Sequence, residues 1–304
     1  MRKSRVRQFA EDREKQLASQ IGEENRFRDE LRRMLRQNKL AVFSAIVILL
    51  MILGAIFAPY LTHWKVGEMD LRNRLAPPSA AHWLGTDEGG RDIWTRILYG
   101  ARVSLLVGVV PSLLAIALGT LLGILAGYRG GWADTVIMRL ADITLALPSM
   151  LLAMVIMYTL GDGKLNMILT LTLVGWASVA RVVRAEAMKL RNREFVEAAR
   201  SIGVTTDRIM RRHILPNCIP TLIVLFTLNV PAAILTESSL SFLGLGIRPP
   251  DASWGQMINA GRQYLISAPW LCFAPGAVIM ITVLTFNFLG DGLRDVLDPH
   301  EQEQ

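Results

Sequence analysis

The chain has 304 residues, of which 52% are hydrophobic and only 19% charged; 33 basic and 26 acidic side chains leave a formal net charge of +7, and the mean hydropathy is +0.35. Soluble domains carry about 25% charged residues, so this composition excludes an ordinary soluble fold, and its apolar content excludes a disordered chain. Two cysteines exclude a disulfide scaffold, and the basic residues lie between long apolar blocks rather than on one soluble domain, so a pI near 9.8 gives no reason to expect nucleic acid as a partner.

A membrane-spanning helix needs about 20 consecutive apolar residues. Residues 1–39 are a polar, charge-mixed tail in which Phe27, Leu31, Met34 and Leu35 recur at helical spacing among arginines. This reads either as an interfacial helix leading into the membrane or as a solvated helix with an incidental stripe. Residues 40–60 carry no charge and form the first expected span, too long for a signal peptide. Before the second span, residues 85–91 with Arg96 form a charged external cap, with Asp87 and Arg91, and Asp92 and Arg96, spaced for local ion pairs.

The second span, residues 103–128, carries Gly119, Gly123 and Gly127 on one face, where another helix can approach closely. Residues 143–160 are a third span kinked near Pro148, joined by a tight turn to a short fourth span at 165–180. The fifth, 217–236, contains Pro220 and Pro231, and the sixth is 268–289. Trp64, Trp254 and Trp270 fall at the expected outer ends of spans, where indole rings favour the interface. Of the 33 Lys and Arg residues, 24 fall in the segments 1–39, 129–142, 181–216 and 290–304. That asymmetry places these segments, and both chain ends, in the cytoplasm.

Residues 181–216 are far longer than a helix connection requires. Phe195, Ala198, Ala199 and Ile202 recur at helical spacing, Gly203 follows where a helix C-cap belongs, and Thr205, Thr206 and Asp207 can start a second helix running to Ile214. The result is a helix–Gly–helix hairpin, suited to docking in a groove of a cytoplasmic partner, or a surface hairpin that only closes a loop.

Glu197, Ala198, Ala199, Gly203, Leu215 and Pro216 match, position for position, the "EAA" loop of bacterial ABC importer permeases, with His213 where the general pattern has Ile. GTDEGGRDIWTRILYGARVSL from Gly85, ESSLSFLGLGIRPPDASWG from Glu237 and FNFLGDGLRDVLDP from Phe286 resemble the C-type permease subunit of the oligopeptide, dipeptide and nickel importer family. The resemblance covers about residues 36–299. It implies an all-α membrane protein with six transmembrane helices and the type I importer fold, the tail 1–39 preceding a first helix and external loop at 40–102, a core at 103–292 and a C-terminal tail at 293–304. It also implies a B-type permease partner, two cytoplasmic ATPase subunits that bind the ATP and magnesium, and an external solute-binding protein, with coupling assigned to the six loop residues. The solute would be a di- or oligopeptide, or nickel or another non-peptide solute on the same architecture.

The residues themselves carry no catalytic chemistry. No G-x-x-x-x-G-K-[ST] loop, G-x-S-x-G elbow or H-E-x-x-H motif occurs, which removes ATP hydrolysis by this chain, a serine hydrolase and a zinc protease from consideration and gives no cofactor or metal to expect. A proton-driven transporter should bury a carboxylate mid-span. Here only Asp142 and Glu237 approach the membrane, both at span ends; Asp142 would pair with Arg139 or be solvated, and Glu237 would line the external mouth of a pathway or sit at the interface. Pro148 and Pro231 are candidate gating kinks, static kinks being the simpler reading.

Overall fold

The structure, a computed structural model, describes residues 38–247 and 251–297. The helix expected around Phe27 and Leu35 lies outside them.

Helix α1 (Lys39–Ile56) starts at Asn38, whose side chain accepts a hydrogen bond from the Ala41 amide at 3.1 Å. Its Ala41, Ser44, Ile48 and Ala55 are buried, while Phe43, Ile46, Leu49 and Leu50 are exposed as a lipid-facing flank must be. A single turn, α2 (Ala58–Leu61), follows, and Arg102 of the next helix donates to the Ala55 and Ile56 carbonyls at 2.6 and 3.0 Å, satisfying acceptors that the end of α1 would otherwise leave open.

Helix α3 (Ile93–Arg129) has 37 residues, about 55 Å at 1.5 Å per residue, and so projects beyond a hydrocarbon core of about 30 Å. It is the axle of the fold, contributing Ile97, Val107, Ile124 and Ala126 to four separate hydrophobic clusters. Gly130 and Gly131, at φ of 68° and 60°, turn the chain into α4 (Gly131–Ala146). The expected kink at Pro148 is a break: Leu147 is extended, as a residue before proline should be, and α4 meets α5 (Ser149–Leu160) at 95°. Asp142 pairs with Arg181 of the following helix at 2.8 Å rather than with Arg139. A stronger pair, Arg184 with both oxygens of Asp134 at 2.5 and 2.7 Å, joins the same two helices across 50 residues of sequence.

The fourth span is not short. Helix α6 (Lys164–Arg191) has 28 residues and carries Arg181 and Arg184 inside it. Its Val179, Val183 and Ala187 lie against the small-residue face of α3, so Gly119, Gly123 and Gly127 do serve packing. After the hairpin described below, α9 (Leu215–Phe242) returns through the bundle, α10 (Trp254–Gly261) caps its far end, and α11 (Trp270–Leu297) packs against α9 and α1. Among the described residues, five helical runs are long and apolar enough to cross a membrane, and the bent pair α4–α5 supplies the sixth if taken as one span. Asn38 and Asp295 meet at 3.5 Å, so the start of α1 and the end of α11 share one end of the bundle. Cys218 and Cys272 are free, as their placement on opposite ends requires.

The cap end is built from residues 62–92, 243–247 and 251–269. Gly85 fits there because a Cβ would lie 2.6 Å from the Ala76 carbonyl and 2.8 Å from the Trp270 indole. Asp87, Asp92 and Arg96 are buried at this end, whereas Lys65, Arg72 and Arg74 are exposed. Asp87 accepts from both Arg91, at 2.7 Å, and Arg96, so the expected Asp92–Arg96 pair does not form. Asp92 instead caps α3, accepting from the amide and hydroxyl of Thr95, each at 2.8 Å, and it contacts His82 Nδ1 at 3.0 Å. Asp92→Ala should therefore lower stability by about 1–2 kcal/mol, with Asp92→Asn losing less, as read from thermal unfolding in detergent. The tryptophans belong to this cap: Trp254 is 0% exposed and donates to the Ile97 carbonyl at 3.1 Å, Trp64 stacks on His82, and Trp270 covers Gly85. Burial between α3 and α10, not the lipid interface, explains Trp254.

Candidate functional site

At the end of the bundle opposite the cap, the chain from α6 to α9 folds back on itself. The first arm, α7 (Glu194–Ser201), begins at Arg193 and ends in a left-handed Gly203 at φ 81°. The Gly203 amide donates to the Arg200 carbonyl at 3.0 Å and the Val204 amide to that of Ala199 at 3.1 Å, a paired terminus that only a residue tolerant of positive φ closes without strain. The spacing of Phe195, Ala198, Ala199 and Ile202 does not mark a single face. Val196 and Ala199 turn inward, whereas Phe195, Glu197, Ala198 and Ile202 face outward, Ile202 being 82% exposed.

The second arm does not end at Ile214. The first turn, α8 (Thr206–Ile209), passes through a wide π-helical turn at Met210–Ile214 directly into α9, giving one helical run from Thr206 to Phe242. The Leu215 amide donates five residues back, to Met210. Pro216 follows, without an N–H for the carbonyl four residues earlier, and the widened turn relieves the clash its ring would otherwise make. The Asn217 side chain donates to the His213 carbonyl at 2.6 Å. His213 lies beside Phe195, with ring centroids 6.3 Å apart, so the residue that departs from the general pattern bridges the two arms.

Inward, the hairpin is continuous with the bundle. Val196, Ala199, Ile209 and Ile214 form one buried cluster with Ile124 and Tyr128 of α3, Val183, Ala187 and Leu190 of α6, and Cys218 of α9. Arg129, in the last turn of α3, pairs with Asp207 at 3.0 Å, an exposed contact worth little by itself. Glu197, Ala198, Ala199, Gly203, Leu215 and Pro216 are thus gathered at one end, with Glu197, Ala198, Leu215 and Pro216 on the surface.

The remaining candidates lie elsewhere. Pro148 heads α5 at the 95° break, and Pro231 is buried within α9. Glu237 is 0% exposed and lines no cavity mouth: Ser241 and Ser253 each donate to its Oε1 at 2.7 Å, and Ser238 to Oε2 at 3.4 Å. Ser238 and Ser241 are its neighbours along the helix, whereas Ser253 meets it only because α10 packs on α9.

Residues 119–302 match the family model described as binding-protein-dependent transport system inner membrane component, and residues 27–78 match the N-terminal TM domain of oligopeptide transport permease C. Among relatives, the chain is 48% identical over 267 residues to the dipeptide transport system permease protein DppC of Alkalihalophilus pseudofirmus, covering 88% of each chain. It is 44% identical over 264 residues to the oligopeptide transport system permease protein OppC of Bacillus subtilis, covering 87% of each, and 42% identical over 274 residues to the glutathione transport system permease protein GsiD of Pectobacterium atrosepticum, covering 90% of this chain and 91% of that one. The fold is similar to that of a chain from inward-facing MetNI methionine ABC transporter, with a TM-score of 0.54 at 20% identity over 66% of this chain and 96% of the other.

Proposed function

Because the chain belongs to the family of binding-protein-dependent transport system inner membrane components, a family of membrane permeases, we propose that it forms half of the translocation pathway of an ATP-driven importer for peptide-like solutes, and that its hairpin is the point at which ATPase motion enters the membrane. In this reading, a B-type permease completes the pathway, two ATPase subunits bind ATP and magnesium, and an external binding protein delivers the solute. The hairpin end, with the segments before α1 and after α11, lies on the cytoplasmic face of a bacterial inner membrane. The Lys and Arg bias supports that sidedness, and the names of the dipeptide, oligopeptide and glutathione relatives support the solute class.

One observation carries the coupling proposal: the hairpin has an exposed outer face and no flexible joint behind it. Its second arm is the same helical run as α9, and its first arm packs by Val196 and Ala199 into a core shared with α3 and α6. A displacement applied at Phe195, Ala198 or Ile202 therefore moves α6 and α9 as a body instead of bending a loop. The chain's own residues bind no nucleotide; their part is to receive a mechanical input and reorient the spans.

Glu197→Lys and Ala198→Trp change only the outer face, so both should leave the subunit at normal levels in the membrane, abolish uptake and release the ATPase subunits on purification. Wild-type uptake by both variants would sink the proposal. The solute class is checked separately, by calorimetry of di- and tripeptides on the external binding protein that this reading requires.

A further inference from the structure

A cavity of about 310 Å³ lies behind the hairpin, lined by Tyr128 and Arg129 from the end of α3, Arg191 from the end of α6, Arg200 from α7 and Thr206 from α8. We propose that this cavity is a phosphate-binding site occupied by the headgroup of an anionic phospholipid.

Three guanidinium groups from three separate helices converge on one space, against a single bound carboxylate. Asp207 pairs with Arg129, whereas Arg191 and Arg200 make no ion pair among the described residues. Like charges brought together in this way repel, and the arrangement is relieved when an anion lies between them. Guanidinium groups suit that anion because their paired N–H groups match two phosphate oxygens at once. The buried Tyr128 ring lies beneath the Arg200 guanidinium at 6.0 Å, and Thr206 completes the lining.

Depth selects a lipid as the source of the phosphate. The cavity sits where two membrane helices end, at Arg129 and Arg191. Trp132, three residues beyond Arg129, is 81% exposed, and Leu121, about two turns before Arg129 in α3, is exposed too. An exposed tryptophan following a lipid-facing leucine marks the headgroup level, where basic pockets between helices bind anionic lipids. A phosphate held there would fasten the first arm of the hairpin, through Arg200, to the ends of α3 and α6. This goes beyond the coupling proposal and does not depend on it.

The test is lipid retention by the full chain, reconstituted in phosphatidylglycerol nanodiscs, extracted into detergent and weighed by native mass spectrometry. Wild type should retain phosphatidylglycerol, and Arg191→Gln and Arg200→Gln should each lower retention about fivefold, the double variant more. Arg200→Lys should fall between, since it keeps the charge and loses the fork, and Arg211→Gln, outside the cavity, should match wild type. Undiminished retention by the double variant overturns the site. In phosphatidylcholine nanodiscs, inorganic phosphate should protect Arg191 and Arg200 from phenylglyoxal only weakly; protection equal to that by phosphatidylglycerol would reassign the site to a soluble anion. Loss of the lipid on assembly with the ATPase subunits would overturn the lipid assignment in favour of a partner carboxylate.

Discussion

Gly127→Leu should abolish accumulation of the folded subunit, whereas Gly203→Ala should leave it near normal. The difference lies in what a side chain would meet. A Cβ at Gly127 would stand 2.5 Å from the Arg184 carbonyl oxygen and 2.9 Å from the Ala187 Cβ; at Gly123 it would meet the Ala180 carbonyl at 2.7 Å, and at Gly119 the Trp176 carbonyl at 2.8 Å. These obstacles are helix backbone, which cannot swing aside as a side chain can. One inserted methylene in a packed core costs about 1–3 kcal/mol, and Gly127→Ala belongs at the upper end of that range. Leucine adds three more carbons and can be housed only by prising α3 from α6, the contact on which three of the four hydrophobic clusters rest. At Gly203 the added Cβ meets nothing within 4 Å, and only the left-handed φ of 81° opposes it, at about 1–2 kcal/mol. Size-exclusion profiles of detergent-solubilised protein measure both. A wild-type peak from Gly127→Leu would show that α3 and α6 can separate without loss of the fold.

The glycine face also shows how far the sequence could be read. Four-residue spacing of Gly119, Gly123 and Gly127 announced a close helix contact, because periodicity fixes which residues share a face. It could not name the partner: the carbonyls of Trp176, Ala180 and Arg184 come from positions 57 residues further along the chain. The same limit governs the charges. Asp87–Arg91 was legible as a local pair, but Arg96 reaches back to Asp87, Asp92 turns to capping, and Arg184 finds Asp134, because chain reversals decide these partners. Span positions followed from apolar runs, whereas helix lengths did not. Arg181 and Arg184 look like a boundary in a hydropathy reading, yet carboxylates on α4 let the helix carry them onward. Residue spacing predicts the hairpin as two helices around Gly203. Its fusion to α9 was hidden by Leu215-Pro216, a pair that ends most helices but here follows a widened turn.

Glu237 offers the second large effect, and the choice of replacement decides its size. Its Oε1 accepts from Ser241 on its own helix and from Ser253, whose hydroxyl oxygen in turn accepts from the Gln256 amide and so caps α10. The next residue, Trp254, donates its backbone amide to the Ser104 hydroxyl at 3.1 Å and its indole to the Ile97 carbonyl, carrying the network onto α3. One carboxylate therefore fastens three helices at the cap end through groups that are buried apart from the half-buried Gln256. Glu237→Ala would leave the Ser241 and Ser253 hydroxyls without their acceptor and open a void, costing about 2–4 kcal/mol. Glu237→Gln keeps an oxygen for both short bonds and turns its amide toward the Ser238 hydroxyl, so it should cost less than about 1 kcal/mol. Thermal unfolding ranks the two, and limited proteolysis between α9 and α10 should speed up in the alanine variant alone. If glutamine fell as far as alanine, the negative charge and not the hydrogen-bond geometry would be holding the cap, and a cation would have to be sought beside it. If neither fell, α10 would be held by Trp254 without help from the carboxylate.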